Sequence, residues 1–465
     1  MSMGSREDGK QDALWVATSE LARGEGHVFY RKLNEVLARH GFDAFVEARV
    51  KELEVFSETM GRPSIPPGVY CRMMFVGFFE GLSSERGIAW RCGDSHSLRE
   101  FLGYGLTEAT PDHSTLSVMR HRLPEGFHRE VFDWVLKVAA EEKVLKGRRL
   151  AIDATTLEAN AAMRTIVRRA DGASYQKYLK RLAKAEGIAN PTPQDLGRMD
   201  RKRKGKKVSN KEWKSPSDPD ARIARMKDGT THLAHKAEHA VDLESGVVMA
   251  AEIHAADQGD TRTLPDTLER AEASAQKVNP GVMIEDVVTD CGYHDTQTLE
   301  ELDQLGYRPC IPERKLRAGR RRWRRRARRL GRKLARRQQR SFYRNRRRVR
   351  SEAGKRLLRK RGETVERSFA HALETGGMRR TYLRGRTNVC KRYHLHIAGL
   401  NLGIVLRTLF GVGTPRGLQD YLKAVLNSLL KSSSRLGRFL LLLRNKTESL
   451  AFSPLTRPHL QFHAV

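Results

Sequence analysis

The sequence has few cysteines and lacks the paired spacings that bind zinc. Its 465 residues include five cysteines, and no two of them form a Cys-x-x-Cys pair. This scarcity argues against a disulfide framework or a zinc knuckle. We therefore expect buried thiols in a reducing cytoplasm. The cysteines are Cys71, Cys92, Cys291, Cys310 and Cys390.

Long apolar runs are also missing. A membrane-spanning helix needs roughly 20 consecutive apolar residues, and the run Phe439–Leu443 is far too short. The N-terminus, Met1–Gln11, is polar and does not resemble a signal peptide. The sequence thus predicts a cytoplasmic protein that does not use a membrane.

Acidic residues are scarce relative to basic ones, and the imbalance is local. The formal net charge is +32, and Arg314–Arg361 holds 26 Lys or Arg residues against one acid, Glu352. A polyanion is the natural partner of such a segment, because every neutralised DNA phosphate releases condensed counterions. Nucleic acid is the first candidate partner and an anionic membrane surface the second.

The first part of the chain has helical periodicity. Residues 1–27 are predicted to be flexible, and residues 28–147 to form an all-α domain, with apolar residues at three- and four-residue steps. Ser84–Cys92 and Asp94–Leu102 resemble a helix-turn-helix around Gly93. A further helix, Ser114–Leu123, carries Arg120 and Arg122 near its end, which makes both candidate DNA contacts. A plain helical bundle fits the same spacing equally well.

A second domain begins where strand-like segments appear. Leu150–Ile152 has a strand core that ends in Asp153, and the pattern that follows is β-β-β-α-β-α-β. This order predicts an α+β, or mixed α/β, fold in which helices flank a mixed sheet, as in ribonuclease-H-like domains. Residues 148–412 form this predicted domain, and 413–465 a C-terminal helical tail. The later segments are the strands Thr230–Val241, Val247–Ala255, Asp286–Asp290 and Tyr307–Pro312 and the helices Leu264–Gln276, Thr296–Leu305, Thr364–Leu373 and Tyr393–Phe410.

Two basic insertions interrupt this domain, at about 160–220 and 314–361. The first is polar and basic, and its composition predicts a mobile segment. The second mixes arginine clusters with Trp323, Phe342 and Tyr343, which suits phosphate contacts combined with base stacking. A disordered basic tail that binds any nucleic acid fits equally well. Its candidate DNA contacts are Arg320, Arg321, Arg322, Trp323, Arg324 and Arg325.

Three acids could carry metal-dependent chemistry. Asp153 and Asp290 end strands that are adjacent and parallel in the predicted topology, and Glu366 borders an apolar helical stripe that can reach the same edge. Three carboxylates at about 4 Å would repel by roughly 4 kcal/mol per pair at an effective dielectric of 20, so such a cluster implies bound cations. Each acid alone is more often a cap or a solvated residue. Glu363 is the second choice for the helix position, and Asp260 is interpreted as a helix-start residue.

Several motifs resemble bacterial insertion-sequence DDE transposases of the IS-five and IS-eleven-eighty-two type, from about Gly61 to Phe410. The resemblance implies a ribonuclease-H-like catalytic domain with Asp153, Asp290 and Glu366 as catalytic and metal-binding residues, two Mg²⁺ or Mn²⁺ ions, and an N-terminal domain that binds the inverted repeats of the element. The motifs are Asp153-Ala154-Thr155, Ser217-Asp218-Pro219-Asp220-Ala221, His235-Lys236 through Ala240-Val241-Asp242, Gly259-Asp260-Thr261, Asp290-Cys291-Gly292-Tyr293, Val365-Glu366-Arg367-Ser368-Phe369 and Arg384-Gly385.

The sequence departs from these relatives around the third acid. Many relatives have Tyr and Arg seven and four residues before the catalytic Glu and Lys seven residues after it, whereas this chain has Arg359, Gly362 and Leu373. We expect the arginine-rich insertion, together with Arg367, to supply the missing backbone contacts. The hypothesis is that the insertion clamps the transposon end near the cleavage point.

The sequence therefore predicts an enzyme that cuts double-stranded DNA at transposon ends and joins the ends to target DNA. Synapsis of two ends predicts a homodimer, and the substrate predicts a cytoplasmic, nucleoid-associated location. Two alternatives remain open at this point. One is a ribonuclease-H-like nuclease without strand transfer, and the other is a non-catalytic helix-turn-helix protein that binds nucleic acid.

Overall fold

The computed structural model describes residues 24–56, 63–203, 209–226, 229–313 and 320–418, together with positions 17, 21 and 61. The predicted flexible N-terminus falls mostly outside these residues, and the first helix begins at Glu25. Most of the predicted C-terminal helical tail, from residue 419 onward, also lies outside them.

The described N-terminal part is helical, as predicted. Its central helix, α3, is buried on all sides and begins at Pro67, a favoured first position because proline lacks the N–H that is unpaired there. Asp112 caps α6 by accepting a hydrogen bond from the Thr115 N–H. The helices are α1 (Glu25–Arg39), α2 (Phe42–Glu52), α3 (Pro67–Phe79), α4 (Glu85–Asp94), α5 (His96–Leu102), α6 (His113–Arg122) and α7 (Glu125–Glu141).

A mixed sheet follows, in the strand order β4-β5-β1-β7-β8, and β6 also pairs with β5. Strands β4, β6 and β1 run antiparallel to β5, whereas β7 runs parallel to both β1 and β8. The predicted mixed sheet is thus confirmed. The strands are β1 (Arg149–Glu158), β2 (Val167–Arg168), β3 (Trp213–Lys214), β4 (Arg222–Arg225), β5 (Thr231–Asp242), β6 (Val248–Ala255), β7 (Asp286–Thr289) and β8 (Arg308–Cys310).

The described part of the segment predicted to be a mobile insertion, residues 160–203 and 209–220, is folded. It contains α8 (Tyr175–Ala185), α9 (Pro193–Lys202) and the small hairpin of β2 and β3. Trp213 is buried and packs edge-on against the rings of Tyr175 and Tyr178. The prediction of mobility was wrong because it weighed the average composition, whereas a few aromatic residues build a local core.

Helices cover both faces of the sheet because strand residues alternate between the two faces. One face, with Leu150 and Ile152, packs against α10 (Asp260–Val278) and α11 (Thr296–Gln304). The other face, with Ala151 and Val241, packs against the remaining long helices. These are α14 (Glu352–Phe369) and α15 (Arg386–Phe410), and the two helices before them are α12 (Arg320–Leu330) and α13 (Arg332–Arg350).

Helix α15 joins the N-terminal helices to the sheet. It packs against α3 and α7 on one side and β6 on the other, so a single apolar core extends through both parts. Among the described residues, Arg386–Leu418 is the stretch long and apolar enough to cross a membrane, and 67% of its apolar window is buried in the protein, as in a core helix. The search for unbroken apolar runs missed it because polar residues such as Arg392 and Asn401 interrupt it.

Candidate active site

Strand pairing brings two of the predicted acids to one place. In the parallel pair of β1 and β7, Ile152 is opposite Thr289, so Asp153 and Asp290 each follow the last paired residue. The predicted adjacency of the two strands is confirmed. Asp153 does not end its strand, however, because β1 continues to Glu158 in its pairing with β5. The aspartate instead lies where β7 stops, on a strand that extends past the sheet edge.

Hydrogen bonds hold both aspartates. Asp153 Oδ1 accepts from the Ala154 N–H (2.8 Å), and Asp153 Oδ2 accepts from Arg361 Nη1 (2.9 Å). Asp290 Oδ1 accepts from the Gly292 N–H (2.7 Å) and caps a short 3₁₀ turn. Burial raises the pKa of Asp153, the nearby Asp290 carboxylate acts in the same direction, and Arg361 lowers it. The Asp290 carboxylate therefore lies close enough to Asp153 to act on its charge.

The third acid lies on α14, which packs across β1, β7 and β5. The predicted apolar stripe is confirmed, since Val365 and Ala372 are fully buried. Glu366 is next to Val365 on the helix, and its side chain is exposed. Within the described ranges, no group of three or more His, Cys, Asp or Glu side chains is arranged to hold a metal ion. The structure thus brings Asp153 and Asp290 together on neighbouring strands and places Glu366 on the helix that packs across those strands.

A buried histidine fixes α14 over the sheet. His239 lies opposite Asp153 in the pairing of β1 and β5, and its ring stacks on Phe369 at 4.2 Å between centroids. Its Nδ1 lies 3.0 Å from Ser368 Oγ and its Nε2 2.6 Å from the Tyr393 hydroxyl. Ser368 donates its proton to the Val365 carbonyl, so Ser368 accepts from Nδ1–H and Tyr393 donates to Nε2. This chain of bonds sets the position of the helix that carries Glu366.

The strand carboxylates fit a divalent cation by their chemistry. Carboxylate oxygens are the ligands that Mg²⁺ prefers, and two acids that follow the last paired residues of neighbouring strands gain from a positive charge between them. Arg361 supplies positive charge to Asp153 in this structure. Asp153 and Asp290 are the residues on which this fit to a cation depends. Glu366 lies on the helix that packs beside them.

The structure separates the two arginines predicted to contact DNA in the N-terminal part. Arg120 is 4% exposed, and it donates to Glu85 Oε1 (2.7 Å) and Asn388 Oδ1 (2.6 Å). Arg120 therefore links α4, α6 and α15. The prediction that it contacts DNA is wrong, because it lies on the inner face of α6 and is buried there. Arg122 is exposed, and its guanidinium lies 5.3 Å from the centre of the Phe56 ring.

Within the arginine-rich insertion, the described residues from Arg320 to Arg350 fold as two helices, α12 and α13, which we call the basic hairpin. Its inner face is attached to α11 and to the loop after β8: the Asn345 side chain bonds both the N–H and the carbonyl of Ile311 (3.0 and 2.8 Å). Arg344 pairs with Asp303 and Arg346 with Glu313. The hairpin is therefore an integral part of the fold, which argues against a disordered tail.

Two aromatic residues of the hairpin, Trp323 and Phe342, face inward. Trp323 is 6% exposed and packs edge-on against the buried Phe342 ring, at 5.5 Å between centroids. The prediction that Trp323 stacks on DNA bases is therefore wrong, because its buried ring helps to attach the hairpin to the rest of the protein. Tyr343 is exposed.

The outer face of the hairpin is almost entirely basic. Its exposed cations, apart from Arg337 and Arg344, form no ion pair with an acid in the described part of the chain. The side chains of the predicted contacts Arg320, Arg321 and Arg322 lie outside the described residues, whereas Arg324 and Arg325 are exposed, as is Arg367 on α14. The exposed cations are Arg324, Arg325, Arg328, Arg329, Arg332, Lys333, Arg336, Arg337, Arg340, Arg344, Arg347 and Arg350.

Sequence reasoning missed the residues that hold the site. Arg361 was overlooked among many arginines. The signal that could have identified it is its spacing of four residues from the apolar Val365, which places both on the inner face of α14. His239 lies within the motif that runs from His235 to Asp242, and that motif assigned it no role. Lys236 and Glu238 alternate with apolar residues on β5, and this pattern of charged residues inside a buried strand was the available signal.

Comparison with protein families gives two matches. Residues 18–122 match the family described as Transposase domain (DUF772), and residues 145–402 match the family described as Transposase DDE domain. Comparisons with curated proteins and with solved structures give no match. The second family match covers more than half of the chain and includes Asp153, Asp290 and Glu366. The chain therefore belongs to the transposase DDE domain family and is an insertion-sequence DDE transposase, an enzyme that acts on DNA.

Proposed function

We propose that this transposase binds the inverted repeats of an element of the IS-five or IS-eleven-eighty-two type, cuts the DNA there and joins the freed 3′-hydroxyls to target DNA. The observation that carries the proposal is the pair Asp153 and Asp290, each directly after the last paired residue of two neighbouring parallel strands, in a chain of the DDE family. A ribonuclease-H-like assignment of the catalytic part is supported by the mixed sheet with β1 at its centre.

Asp153 and Asp290 would hold the divalent ions, Mg²⁺ or Mn²⁺, and Glu366 would complete the ligand set. Such ions, when bound, activate the attacking oxygen and stabilise the leaving oxygen of the phosphodiester. The Glu366 side chain is exposed and free to change rotamer, while the helix backbone beneath it is held through Ser368 and His239. Arg361, which pairs with Asp153, would meet the DNA phosphate that enters beside this carboxylate.

The N-terminal part would bind the transposon end through α4 and α6. Trp90 on α4 is 69% exposed, and Val118 on α6 is 49% exposed. Together with Arg122 they offer an aromatic ring, an apolar contact and a cation on adjacent helices. These are the groups that position a helix on duplex DNA. Pairing of two ends predicts a homodimer in the synaptic complex, in the bacterial cytoplasm at the nucleoid.

The decisive experiment measures cleavage and strand transfer on duplexes that carry the repeats flanking the reading frame, with Mg²⁺ or Mn²⁺. We expect Asp153→Asn and Asp290→Asn to bind these duplexes like the wild type but not to cut them. Glu366→Gln and Glu363→Gln separate the two helix candidates, and we expect loss of cleavage in the first and wild-type cleavage in the second.

The same assay distinguishes the alternatives. Precleaved ends that are joined to target DNA support a transposase, whereas hydrolysis without joining supports a nuclease. Cleavage by Asp153→Asn at the wild-type rate would falsify the assigned site. A wild-type protein that binds the repeats but neither cuts nor joins them would indicate a DNA-binding protein without catalysis.

A further inference from the structure

A buried carboxylate lies beneath the candidate active site and has no role in the chemistry above. Glu238 on β5 is opposite Ala154, the residue after Asp153, and its exposure is 0%. Neighbouring residues of a strand point to opposite faces. Glu238 therefore faces α10, whereas His239 faces α14. A buried carboxylate is costly unless hydrogen bonds and opposite charge compensate it.

Hydroxyl donors from two other elements satisfy Glu238. Thr263 and Thr267, one helical turn apart on α10, both donate to it. The Tyr293 hydroxyl donates to Glu238 Oε1 at 2.5 Å, and Lys236 Nζ lies 3.6 Å from the same oxygen. Burial, reinforced by the Glu238 charge, raises the pKa of Tyr293 well above its ordinary value, so the hydroxyl keeps its proton and remains a donor.

Tyr293 connects this carboxylate to the active site. It ends the 3₁₀ turn Cys291–Tyr293, which Asp290 begins as its N-cap. The same turn is packed from the side by Asp260, whose Oδ1 pairs with Lys236 Nζ at 2.8 Å. A Cβ on Gly292 would lie 2.4 Å from Asp260 Oδ2 and 2.9 Å from Asp290 Oδ1. The turn therefore fits between the two aspartates because residue 292 has no side chain.

We propose that Glu238 acts through Tyr293 as a positioning residue that fixes the direction of the Asp290 carboxylate toward Asp153. The inference deepens the proposed function and rests on it, because it assigns Asp290 to a metal site. Without the Tyr293 hydroxyl, Glu238 loses a donor from this turn and the turn loses its attachment to β5. The Asp290 carboxylate then samples more directions, and the affinity of the site for divalent cations falls. Loss of an outer-shell partner typically lowers metal affinity by about 10- to 100-fold.

The test uses Tyr293→Phe in the full chain, with Tyr30→Phe as its matched control. Tyr30 is also buried and donates from its hydroxyl to a glutamate, Glu80, at 2.8 Å, but it lies in the N-terminal helices. Both variants lose one tyrosine–glutamate bond, so a comparable fall in melting temperature is expected. Mn²⁺ binding is measured by electron paramagnetic resonance of the free ion. We expect an affinity about tenfold weaker in Tyr293→Phe and unchanged in Tyr30→Phe.

A second variant tests the turn without touching Glu238. Gly292→Ala places a methyl group between the Asp260 and Asp290 carboxylates, and we expect it to weaken Mn²⁺ binding while duplex binding stays at the wild-type level. Wild-type Mn²⁺ affinity in both Tyr293→Phe and Gly292→Ala, with loss in Asp153→Asn, overturns the positioning role alone. Mn²⁺ affinity that survives Asp153→Asn overturns the proposed function itself.

Discussion

Removing charge from the basic hairpin should weaken DNA binding by an amount that can be calculated from its geometry. Arg332, Arg336, Arg340 and Arg347 are exposed and fall within one face of α13. At 1.5 Å per residue they extend along about 22 Å, which is the scale of a duplex surface with a phosphate every ~1.7 Å of axis. Because these guanidinium groups are exposed, we expect them to contact phosphates. Because Trp323 faces inward, we expect no base stacking from its ring.

The expected magnitude follows from counterion release. Each phosphate contact contributes about 0.9 to the slope of log affinity against log salt concentration. Neutralising all four arginines to glutamine should therefore lower the slope by up to about 3.6. At 0.1 M salt each lost contact corresponds to roughly an eightfold loss of affinity. Because the contacts are to phosphates, duplexes with the terminal repeat and with a scrambled sequence should lose affinity by the same factor.

The assay is fluorescence anisotropy of labelled duplexes over about 0.05 to 0.3 M KCl, a range in which the electrostatic contribution changes strongly. The control carries the same change in net charge on other helices, and circular dichroism checks that both variants keep their helices. An unchanged slope in the hairpin variant, or an equal decrease in the control, would refute the reasoning. The control substitutions are Lys32→Gln, Arg39→Gln, Lys51→Gln and Lys137→Gln.

Two further predictions concern stability. Trp323→Ala should lower the free energy of unfolding by about 3–5 kcal/mol, because it removes a buried ring that packs against Phe342. Thermal unfolding and DNA binding of the variant test this. A DNA-binding defect with an unchanged melting temperature would instead support stacking of Trp323 on DNA bases. Burial lowers the pKa of His128 and of His396 to about 3, below the value of about 6.5 in the unfolded chain. The unfolded chain then binds more protons between these values, so stability should fall as the pH drops below about 6.5, by about 1.4 kcal/mol per pH unit for each histidine. Urea titrations at pH 7.5, 6.5 and 5.5 measure this, and a flat profile contradicts it.

The sequence was most informative where a local pattern determines the structure. Alternating apolar residues and turn residues predicted the order of strands and helices along the chain. That order led to the prediction that β1 and β7 are parallel neighbours in the sheet, as they are. The length of β1 was underestimated because Thr155 and Thr156 continue the strand only through their pairing with Ala237 and Lys236 of β5. Such pairing joins residues far apart in the chain and leaves little local signal.

The errors in the candidate site have the same origin. Arg120 and Trp323 are residue types that commonly contact DNA, and the sequence around both is basic. Their burial depends on distant partners: Glu85 and Asn388 for Arg120, and Phe342 for Trp323. Local composition cannot distinguish an arginine on the inner face of a helix from one on the outer face when the helix is basic on both sides.

The sheet explains why the site needs partners on both of its faces. Alternation places Asp153 and His239 toward α14 and Glu238 toward α10, although all three belong to paired strands. On the first face, Arg361 pairs with Asp153, and His239 fixes the helix that carries Glu366 through Ser368. On the second face, Glu238 holds the turn that begins at Asp290. Variation in either covering helix can therefore alter the geometry of the acids without changing any of them, and metal affinity is the property that should report it first.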